Sequence, residues 1–330
     1  MNHIRLGLPK GSLNRDGRGN TQAILISAGY DIEGYEPERE SDRRLRFAND
    51  PEILPFLTRP QSAPIELGRE LLDTAIIGDD WVKEESVNGG RSVIRIGDLG
   101  YGKTRLVLAV PNESPFESLT DFFLAQRDRT APILMFTEYI NLTRAHVMGN
   151  DGYRELYGER KPLVQVRGLF NGENDRVQII NSDGVTEGYI RKGADMIVDN
   201  SQTGRTLEEY GLRRLETVME SSAGLYAGPS CTGWKEEKAR EIFEQLMGAV
   251  NGQVYFDVKF NVINGRVDGV KRYLISEGLC SDEPTVSRGD SYSTVNILIP
   301  RGRYPAVIRA LKGDFGASAI VRNEVSQFIS

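Results

Sequence analysis

The clearest pattern of apolar and polar positions lies near the end of the chain. Residues 254–262 alternate strictly, with Val254, Phe256, Val258, Phe260 and Val262 on one face and polar side chains between them. Successive side chains of a strand point to opposite faces of a sheet, so this alternation predicts a half-buried antiparallel strand.

The elements around this strand complete a small module. Residues 234–247 place apolar side chains on one helical stripe, which predicts an amphipathic connecting helix. After the strand, the pattern predicts a helix at 266–275, a short strand at 285–287, a strand centred on 295–299, a helix at 303–311 and a last strand at 319–325. This order, βαββαβ, predicts a ferredoxin-like module.

The first 228 residues follow a different pattern. Short apolar runs at 4–8, 73–78, 105–110, 133–136 and 196–198 each end at a turn, and helical patterns lie between them. Strands that alternate with helices predict a parallel α/β sheet, and the Gly-rich corner at 98–102 indicates a crossover between two such lobes. Residues 150–177 are polar and poor in pattern, so we expect a surface insertion there.

Candidate chemistry concentrates in residues 183–212. The apolar run at 196–198 stands between Asp195 and Asp199, passes into a turn with Thr203, Gly204 and Thr206, and continues as a helix. A turn of Gly and hydroxyl residues directs several backbone N–H groups to one place, and a helix N-terminus adds positive potential. The pattern therefore predicts a phosphate-binding loop.

Other strand ends carry charged residues as well. Lys10 follows the first strand, where open α/β sheets bind ligands, although a solvated loop lysine fits equally. Asp79 and Asp80 follow the strand at 73–78, either as cleft carboxylates or as caps of the next helix. A basic run at 39–46 either stays solvated or reaches a ligand.

Composition narrows the class of protein. The chain has 330 residues, 39% hydrophobic and 27% charged, with 41 Lys plus Arg against 47 Asp plus Glu. The resulting net charge of −6 argues against nucleic acid or an anionic membrane as the main partner. Only Cys231 and Cys280 are present, and no run approaches a membrane span, so we expect a reducing, cytoplasmic location.

The ordered set of segments resembles the long form of the ATP phosphoribosyltransferases of histidine biosynthesis. The matching pieces are Leu8-Pro9-Lys10-Gly11, residues 73–78 with Asp80 and Glu84, residues 98–111, residues 137–143 and residues 184–212. They cover most of the first 228 residues in the family's order. A single Thr-Gly-x-Thr would be a weak signal, whereas the ordered set is strong.

The resemblance implies a fold and a reaction. The fold is α/β, with two lobes like type II periplasmic binding proteins and a C-terminal ferredoxin-like regulatory domain. We expect lobe I at 1–104 with 210–228, lobe II at 105–209, a linker helix at 229–249 and the regulatory domain at 250–330. The reaction joins ATP and phosphoribosyl pyrophosphate into N1-(5-phosphoribosyl)-ATP and pyrophosphate, with Mg²⁺ required.

The family's functional residues are carried over as hypotheses. Thr203, Gly204, Arg205 and Thr206 are expected to hold the 5-phosphate of phosphoribosyl pyrophosphate. Beside that loop, Glu187 and Asp199 are expected to meet ribose hydroxyls or Mg²⁺, with Asp195 a weaker candidate.

The nucleotide end of the cleft is expected to use other residues. Lys10 and Arg59 are the cations set against pyrophosphate or the ATP phosphates, and Asp80 is expected to help position the nucleotide. Here the sequence departs from the family: Ser62-Ala63-Pro64 replaces the usual Asp-Ile-Pro, and Glu70 replaces a Gly. Longer segments at 13–20 and 150–177 add to the departures.

For the C-terminal module, the resemblance implies feedback inhibition by histidine in a homo-oligomer built from dimers into a hexamer. Leu279 and Thr285 are the residues carried over to the histidine site, although Cys280 to Glu283 lengthen that loop. Two rival interpretations remain open: a two-lobed ligand-binding protein without catalysis, and a phosphoribosyltransferase with another acceptor.

Overall fold

The computed structural model describes residues 3–14, 20–36, 44–87, 89–90, 92–279 and 284–328. The strands, in chain order, are β1 (Ile4–Pro9), β2 (Ile32–Glu33), β3 (Arg46–Phe47), β4 (Ile53–Thr58), β5 (Thr74–Gly78), β6 (Ile94–Asp98), β7 (Thr104–Pro111), β8 (Ile133–Thr137), β9 (Pro162–Val166), β10 (Leu169–Asn171), β11 (Asn174–Asn181), β12 (Met196–Ser201), β13 (Leu212–Ser221), β14 (Ala223–Ala227), β15 (Tyr255–Ile263), β16 (Thr285–Arg288), β17 (Tyr292–Pro300) and β18 (Ser318–Glu324).

The helices, in the same order, are α1 (Thr21–Ser27), α2 (Ala63–Gly68), α3 (Asp79–Val87), α4 (Leu119–Ala125), α5 (Ile140–Gly149), α6 (Asp151–Tyr157), α7 (Arg205–Glu209), α8 (Trp234–Gly252), α9 (Val267–Ser276) and α10 (Tyr304–Gly313). The chain divides into two compact units, one of residues 1–21 and 33–239 and one of residues 22–32 and 240–330. The boundary between residues 239 and 240 falls inside α8.

The first unit contains two sheets. One has five strands in the order β4-β1-β5-β14-β6, with β1 parallel to β4 and β5 and with β14 antiparallel to both of its neighbours. The edge strand β6 is partly exposed, whereas every residue of β5 and β14 is buried. Continuous burial of this kind is typical of strands covered on both faces.

The other sheet of the first unit has seven strands in the order β10-β9-β11-β8-β12-β7-β13. Strands β9, β11, β8 and β12 run parallel, whereas β7 and β13 pair antiparallel to them or to each other. The core under this sheet combines strand residues such as Leu108 and Met135 with Phe123 of α4 and Tyr153 of α6.

The chain passes between these two sheets twice. The first crossover runs from β6 to β7 and contains Gly100 and Gly102, with φ of 71° and 63°. Positive φ is accessible to glycine at little cost, which explains the glycines of this corner. The second crossover joins β13 to β14 within two residues. Asp98 links the two crossovers by accepting hydrogen bonds from Gly100 N and Ser222 Oγ, both at 2.8 Å.

A buried ion pair network fastens α8 to the first sheet. Asp73, fully buried, accepts hydrogen bonds from Arg5 Nη2, Arg5 N and Lys235 Nζ, each at 2.8 Å. Burial acts to raise the pKa of the Asp73 carboxyl, but the hydrogen bonds from Arg5 and Lys235 outweigh it and hold the pKa below its usual range. The neighbouring Cys231 is also buried, and burial raises the pKa of its thiol to about 11.

The second unit holds a four-stranded antiparallel sheet in the order β16-β17-β15-β18. With α9 and α10 it forms the predicted βαββαβ module. The alternation predicted at 254–262 is confirmed for Phe256, Val258, Phe260 and Val262, which all face the core of this module, whereas Val254 precedes β15 and is 51% exposed. The α/β fold, with two sheets before a ferredoxin-like module, is thus as expected.

The expectation of a surface insertion at 150–177 is wrong. This segment forms α6, β9, β10 and the first part of β11, and Tyr153, Val164 and Val177 are buried. Strands β9 and β11 bury only two apolar residues each, and all of β10 is exposed, so the alternating pattern is too short to stand out in the sequence.

The expected lobe boundaries also need correction. Residues 212–221 form β13, which belongs to the seven-stranded sheet and not to lobe I. Residues 22–32 group with the C-terminal unit, although the sequence placed them in lobe I. Residues 15–19, 39–43 and 280–283 lie outside the described residues. Arg46 pairs with Glu33 at 2.7 Å on the surface.

We expect Asp73→Asn to lower the free energy of unfolding by about 3 kcal/mol, because Arg5 and Lys235 lose the carboxylate that compensates their burial. The pKa of Asp73 is lower in the folded chain than in the unfolded chain. Its contribution is therefore complete above the unfolded value of about 4 and is lost as the pH falls through the folded value. Urea denaturation from pH 7 to pH 3 measures this.

The matched control is Asp128→Asn, which changes an exposed aspartate of the same unit. It should unfold like the wild type at every pH. A wild-type and Asp73→Asn difference that persisted unchanged at pH 3 would contradict the stabilising role of the ionised carboxylate.

Candidate active site

The predicted site residues lie where strands of the two sheets of the first unit end. Lys10 follows β1, Arg59 follows β4, and Asp79 and Asp80 follow β5 at one edge of the five-stranded sheet. Glu138 and Tyr139 follow β8, and residues 202–206 follow β12, at the corresponding edge of the other sheet. Because ligands of open α/β sheets bind outside the carboxyl ends of the strands, this arrangement agrees with a cleft.

The two predicted cations start from adjacent backbone positions. The register pairs Pro9 with Thr58, and Lys10 N donates to Thr58 O at 2.9 Å, so Lys10 and Arg59 leave the sheet side by side. Arg59 is exposed. It lines a cavity of about 610 Å³ together with Trp81 and Glu138.

Asp80 is the centre of a buried polar cluster. Its side chain is 3% exposed, and both carboxylate oxygens accept hydrogen bonds. Ser221 Oγ donates to Oδ1 at 2.8 Å, and Tyr139 OH and Asn200 Nδ2 donate to Oδ2 at 2.6 and 2.9 Å. Asn200 Nδ2 also contacts Tyr139 OH. We call Asp80, Tyr139, Asn200 and Ser221 the Asp80 cluster.

Aromatic stacking surrounds this cluster. The rings of Trp81 and Tyr139 stack with centroids 4.3 Å apart and planes at 28°. Burial, with the negative charge of Asp80, holds the pKa of the Tyr139 hydroxyl well above its usual value. Tyr139 is therefore a neutral hydrogen-bond donor at physiological pH.

Glu84 fixes the helix that follows Tyr139. Its carboxylate accepts hydrogen bonds from the N–H groups of Asn141 and Leu142, at 2.7 and 2.8 Å, in the first turn of α5. A carboxylate at a helix N-terminus satisfies N–H groups that lack acceptors within the helix. Burial raises the pKa of Glu84.

Asp199 stands in an acidic environment at the end of β12. Burial raises its pKa to about 7, and the charges of Glu187 and Glu138 act in the same direction. Hydrogen bonds from Asn200 N, at 2.7 Å, and from the Thr186 side chain act in the opposite direction. In this environment the ionised form of Asp199 would be stabilised by hydroxyl donors or by a cation beside it.

A strained turn precedes Glu187. Asp183, Gly184 and Val185 all have positive φ, of 47°, 91° and 48°. A β-branched residue such as Val185 is an outlier in this region, and its side chain is 72% exposed. Such strain occurs most often at functional sites, and here it sets the start of the 3₁₀ segment that carries Glu187.

The predicted phosphate loop is well formed but partly occupied by its own side chains. Ser201 Oγ accepts from Gly204 N at 3.1 Å, and Thr203 Oγ1 accepts from Arg205 N at 3.4 Å. The guanidinium of Arg205 pairs with Glu209 on the same short helix. Within the described part of the chain, the N–H groups of Thr206 and Leu207 find no acceptor. These two groups are free to bind an anion.

The loop residues face two different cavities. Thr206 lines a cavity of about 330 Å³ with Asp80 and Asn200, whereas Thr203 and Gly204 line a neighbouring cavity of about 480 Å³. Gln202 borders both. The structure thus brings Thr206 to the Asp80 cluster and places Thr203 on the far side of the loop.

Two further predictions receive definite positions. Asp195 pairs with Arg129 at 2.6 Å and accepts from Leu134 N at 2.9 Å, so it is a structural residue, as its position at a strand start suggested. In the second unit, Leu279 is buried in the module core, and Thr285 is exposed on the edge strand β16.

Sequence reasoning missed Tyr139, Asn200 and Ser221. Tyr139 and Asn200 directly follow the apolar runs of β8 and β12, which is the same strand-end signal that identified Lys10 and Asp80. Ser221 ends β13, a strand that was assigned to the wrong lobe, and no local signal marks it.

Comparison with known proteins identifies the family. A family model described as HisG, ATP phosphoribosyltransferase, matches residues 59–248, more than half of the chain. The chain belongs to the ATP phosphoribosyltransferase family. This match includes all of the cleft residues described above except Lys10.

Curated relatives of the family extend over nearly the whole chain. The ATP phosphoribosyltransferase of Desulforudis audaxviator is 30% identical over 86% of this chain and 84% of the relative. That of Thermodesulfovibrio yellowstonii is 28% identical over 99% of this chain and 98% of its own length. The C-terminal module is therefore included in the match to the second relative.

A solved structure of the family shares the fold. A chain of the ATP phosphoribosyl transferase (HisG:HisZ) complex from Thermotoga maritima aligns with a TM-score of 0.52 and 23% identity, over 75% of this chain and 98% of that one.

Among the described residues, no helix is long and apolar enough to cross a membrane.

Proposed function

We propose that this chain catalyses the joining of ATP and phosphoribosyl pyrophosphate to give N1-(5-phosphoribosyl)-ATP and pyrophosphate, the first step of histidine biosynthesis. The observation that carries this proposal is the anion-binding loop at the end of β12, directly beside the carboxyl of Asp199 and in a chain of this family. A sugar phosphate needs both features, one for its phosphate and one for its hydroxyl groups.

The loop is proposed to hold the 5-phosphate. Thr206 and Leu207 offer unused backbone N–H groups with the exposed Thr206 hydroxyl beside them, and the exposed Thr203 hydroxyl lines the neighbouring cavity. Gly204, with φ of 81°, allows the chain to turn back on the phosphate. Because the Arg205 guanidinium is paired with Glu209, Arg205 contributes chiefly by its position in the first turn of α7.

Asp199 and Glu187 are proposed to meet the ribose hydroxyls and Mg²⁺. Among the residues that the structure describes, no group of three His, Cys, Asp or Glu side chains could hold a metal ion alone. This fits Mg²⁺, which is commonly bound by one or two carboxylates and by substrate phosphates. Bound by Asp199 and Glu187, Mg²⁺ would supply positive charge that stabilises the leaving pyrophosphate.

Lys10 and Arg59 are proposed to contact the pyrophosphate or the ATP phosphates from the other edge of the cleft. In the reaction, adenine N1 attacks the anomeric carbon, a C–N bond forms, and the C–O bond to pyrophosphate breaks. The transition state is oxocarbenium-like, so catalysis depends on holding both substrates in line and on stabilising the leaving group. Such a mechanism requires no strong base.

The assay that tests this function mixes the full chain with ATP, phosphoribosyl pyrophosphate and Mg²⁺ and follows phosphoribosyl-ATP by absorbance, with pyrophosphatase to draw the reaction forward. We expect product that depends on both substrates and is lost with EDTA. Binding of phosphoribosyl pyrophosphate without product would favour a transferase with another acceptor. Binding of neither substrate would favour a ligand-binding protein.

The phosphate loop is tested by Thr203→Ala combined with Thr206→Ala. We expect the KM for phosphoribosyl pyrophosphate to rise at least about 100-fold, because two hydrogen bonds to a charged group are lost and each is worth about 1.5 to 3 kcal/mol. The KM for ATP should change less than about twofold. Thr217→Ala, an exposed threonine of β13, serves as control. An equal rise in KM for both substrates would contradict the assignment of the loop to phosphoribosyl pyrophosphate.

The C-terminal module is proposed to mediate feedback inhibition by histidine in a cytoplasmic homo-oligomer that assembles from dimers into a hexamer. Thr285 is the accessible candidate, because it is exposed on edge strand β16. Leu279 belongs to the module core and is proposed only to shape the site. Inhibition requires that histidine bind the less active state more tightly.

We therefore expect Thr285→Val to raise the histidine concentration for half-inhibition at least about fivefold, with kcat unchanged, since one hydrogen bond is worth about 1 kcal/mol. Ser287→Ala, two residues away on the same exposed face of β16, is the control. Unchanged inhibition in Thr285→Val would place the histidine site elsewhere.

A further inference from the structure

Both oxygens of the Asp80 carboxylate already accept hydrogen bonds, although the cluster borders the cavity of about 330 Å³ that Thr206 lines. The carboxylate of Asp80 is almost fully buried, and Ser221, Tyr139 and Asn200 already donate to its two oxygens. Any phosphate placed here would meet a negative charge and would displace these donors. Asp80 is therefore unsuited to the direct nucleotide contact expected from the sequence.

Asn200 links this cluster to the sugar-phosphate side of the cleft. Its side-chain amide is held by Asp80 Oδ2 and Tyr139 OH, while its backbone N–H donates to Asp199 Oδ1 at 2.7 Å. The next residue, Ser201, accepts the N–H of Gly204 and so starts the phosphate loop. Asn200 thus connects the buried carboxylate of Asp80 to Asp199 and to the phosphate loop, which are the two proposed contacts of the sugar phosphate.

The cluster also joins the two sheets of the first unit. Asp80 begins α3 after β5, whereas Tyr139, Asn200 and Ser221 come from the ends of β8, β12 and β13. Its hydrogen bonds span 59 to 141 residues of sequence. The end of β12 is consequently fixed relative to the five-stranded sheet, and not only by its neighbours in its own sheet.

We propose that Asp80 and Tyr139 are positioning residues that act through Asn200 to orient Asp199 and the phosphate loop towards phosphoribosyl pyrophosphate. This inference rests on the proposed function of that loop. It assigns Asp80 to the sugar-phosphate end of the cleft, and it predicts that loss of the cluster affects one substrate far more than the other.

A reciprocal exchange of the central pair tests the proposal. Asn200→Asp places two carboxylates against each other, and Asp80→Asn places two amides there. The double variant Asp80→Asn with Asn200→Asp restores one amide and one carboxylate in reversed order. The readouts are KM for each substrate, kcat, calorimetric binding of phosphoribosyl pyrophosphate with Mg²⁺ in the absence of ATP, and thermal unfolding.

We expect Asn200→Asp to raise the KM and Kd for phosphoribosyl pyrophosphate at least about tenfold, and Asp80→Asn about threefold to tenfold, in the range of one lost charge-assisted hydrogen bond. The KM for ATP should change less than about twofold. The double variant should recover most of the loss. If Asn200 itself contacted the substrate, the double variant would not recover.

Tyr139→Phe provides a second variant that keeps the stack on Trp81 and removes only the hydroxyl. It should fold like the wild type and weaken phosphoribosyl pyrophosphate about threefold to tenfold. Three results would each overturn the proposal. They are an unchanged affinity for phosphoribosyl pyrophosphate in Tyr139→Phe and Asn200→Asp, an equal loss of affinity for ATP, and a folded double variant that does not recover affinity for phosphoribosyl pyrophosphate. A different result would refute only the proposed reaction. In that case the wild type would form no product, while its affinity for phosphoribosyl pyrophosphate would still fall in the single variants and recover in the double variant.

Discussion

A single buried carboxylate, that of Asp80, accepts hydrogen bonds from three strand ends of the neighbouring sheet. An uncompensated buried charge is destabilising, so the folded first unit favours the arrangement in which all three donors stay in place. This requirement fixes the distance between the edge that carries Lys10 and Arg59 and the edge that carries Asp199 and Thr206. The geometry of the cleft therefore depends on a group that has no free oxygen of its own.

Cationic and acidic side chains stand close together in the cleft. Lys10 and Arg59 leave adjacent strands of the five-stranded sheet, whereas the charges of Glu187 and Glu138 act on Asp199, and Glu138 also lines the cavity of Arg59. The function proposed above uses both sets of residues, the cations for phosphate groups and the carboxylates for hydroxyl groups. Burial, with the charges of Glu187 and Glu138, raises the pKa of Asp199, so hydroxyl donors or a cation beside it would stabilise its ionised form.

Most of the fold was predictable from the sequence, because the spacing of apolar residues in most strands and helices follows the period of that element. The strict alternation at 254–262 and the runs at 4–8 and 196–198 identify their strands by local pattern alone. Residues 150–177 were misjudged because each of their strands buries few apolar residues. The phosphate loop was found by its residue types, whereas the Asp80 cluster joins residues up to 141 positions apart, and such pairing leaves no local signal.

The two short crossovers between the sheets have a consequence for how the chain folds. Strands β7 to β13 lie between them as one continuous segment and form the seven-stranded sheet alone. The five-stranded sheet, by contrast, needs β14 between β5 and β6, although β14 follows β5 by more than 140 residues. Loop closure over such a separation is slow, so during synthesis the inserted sheet is able to form first. The five-stranded sheet is then completed beside a seven-stranded sheet that has already folded. The cleft is present only after both sheets are complete.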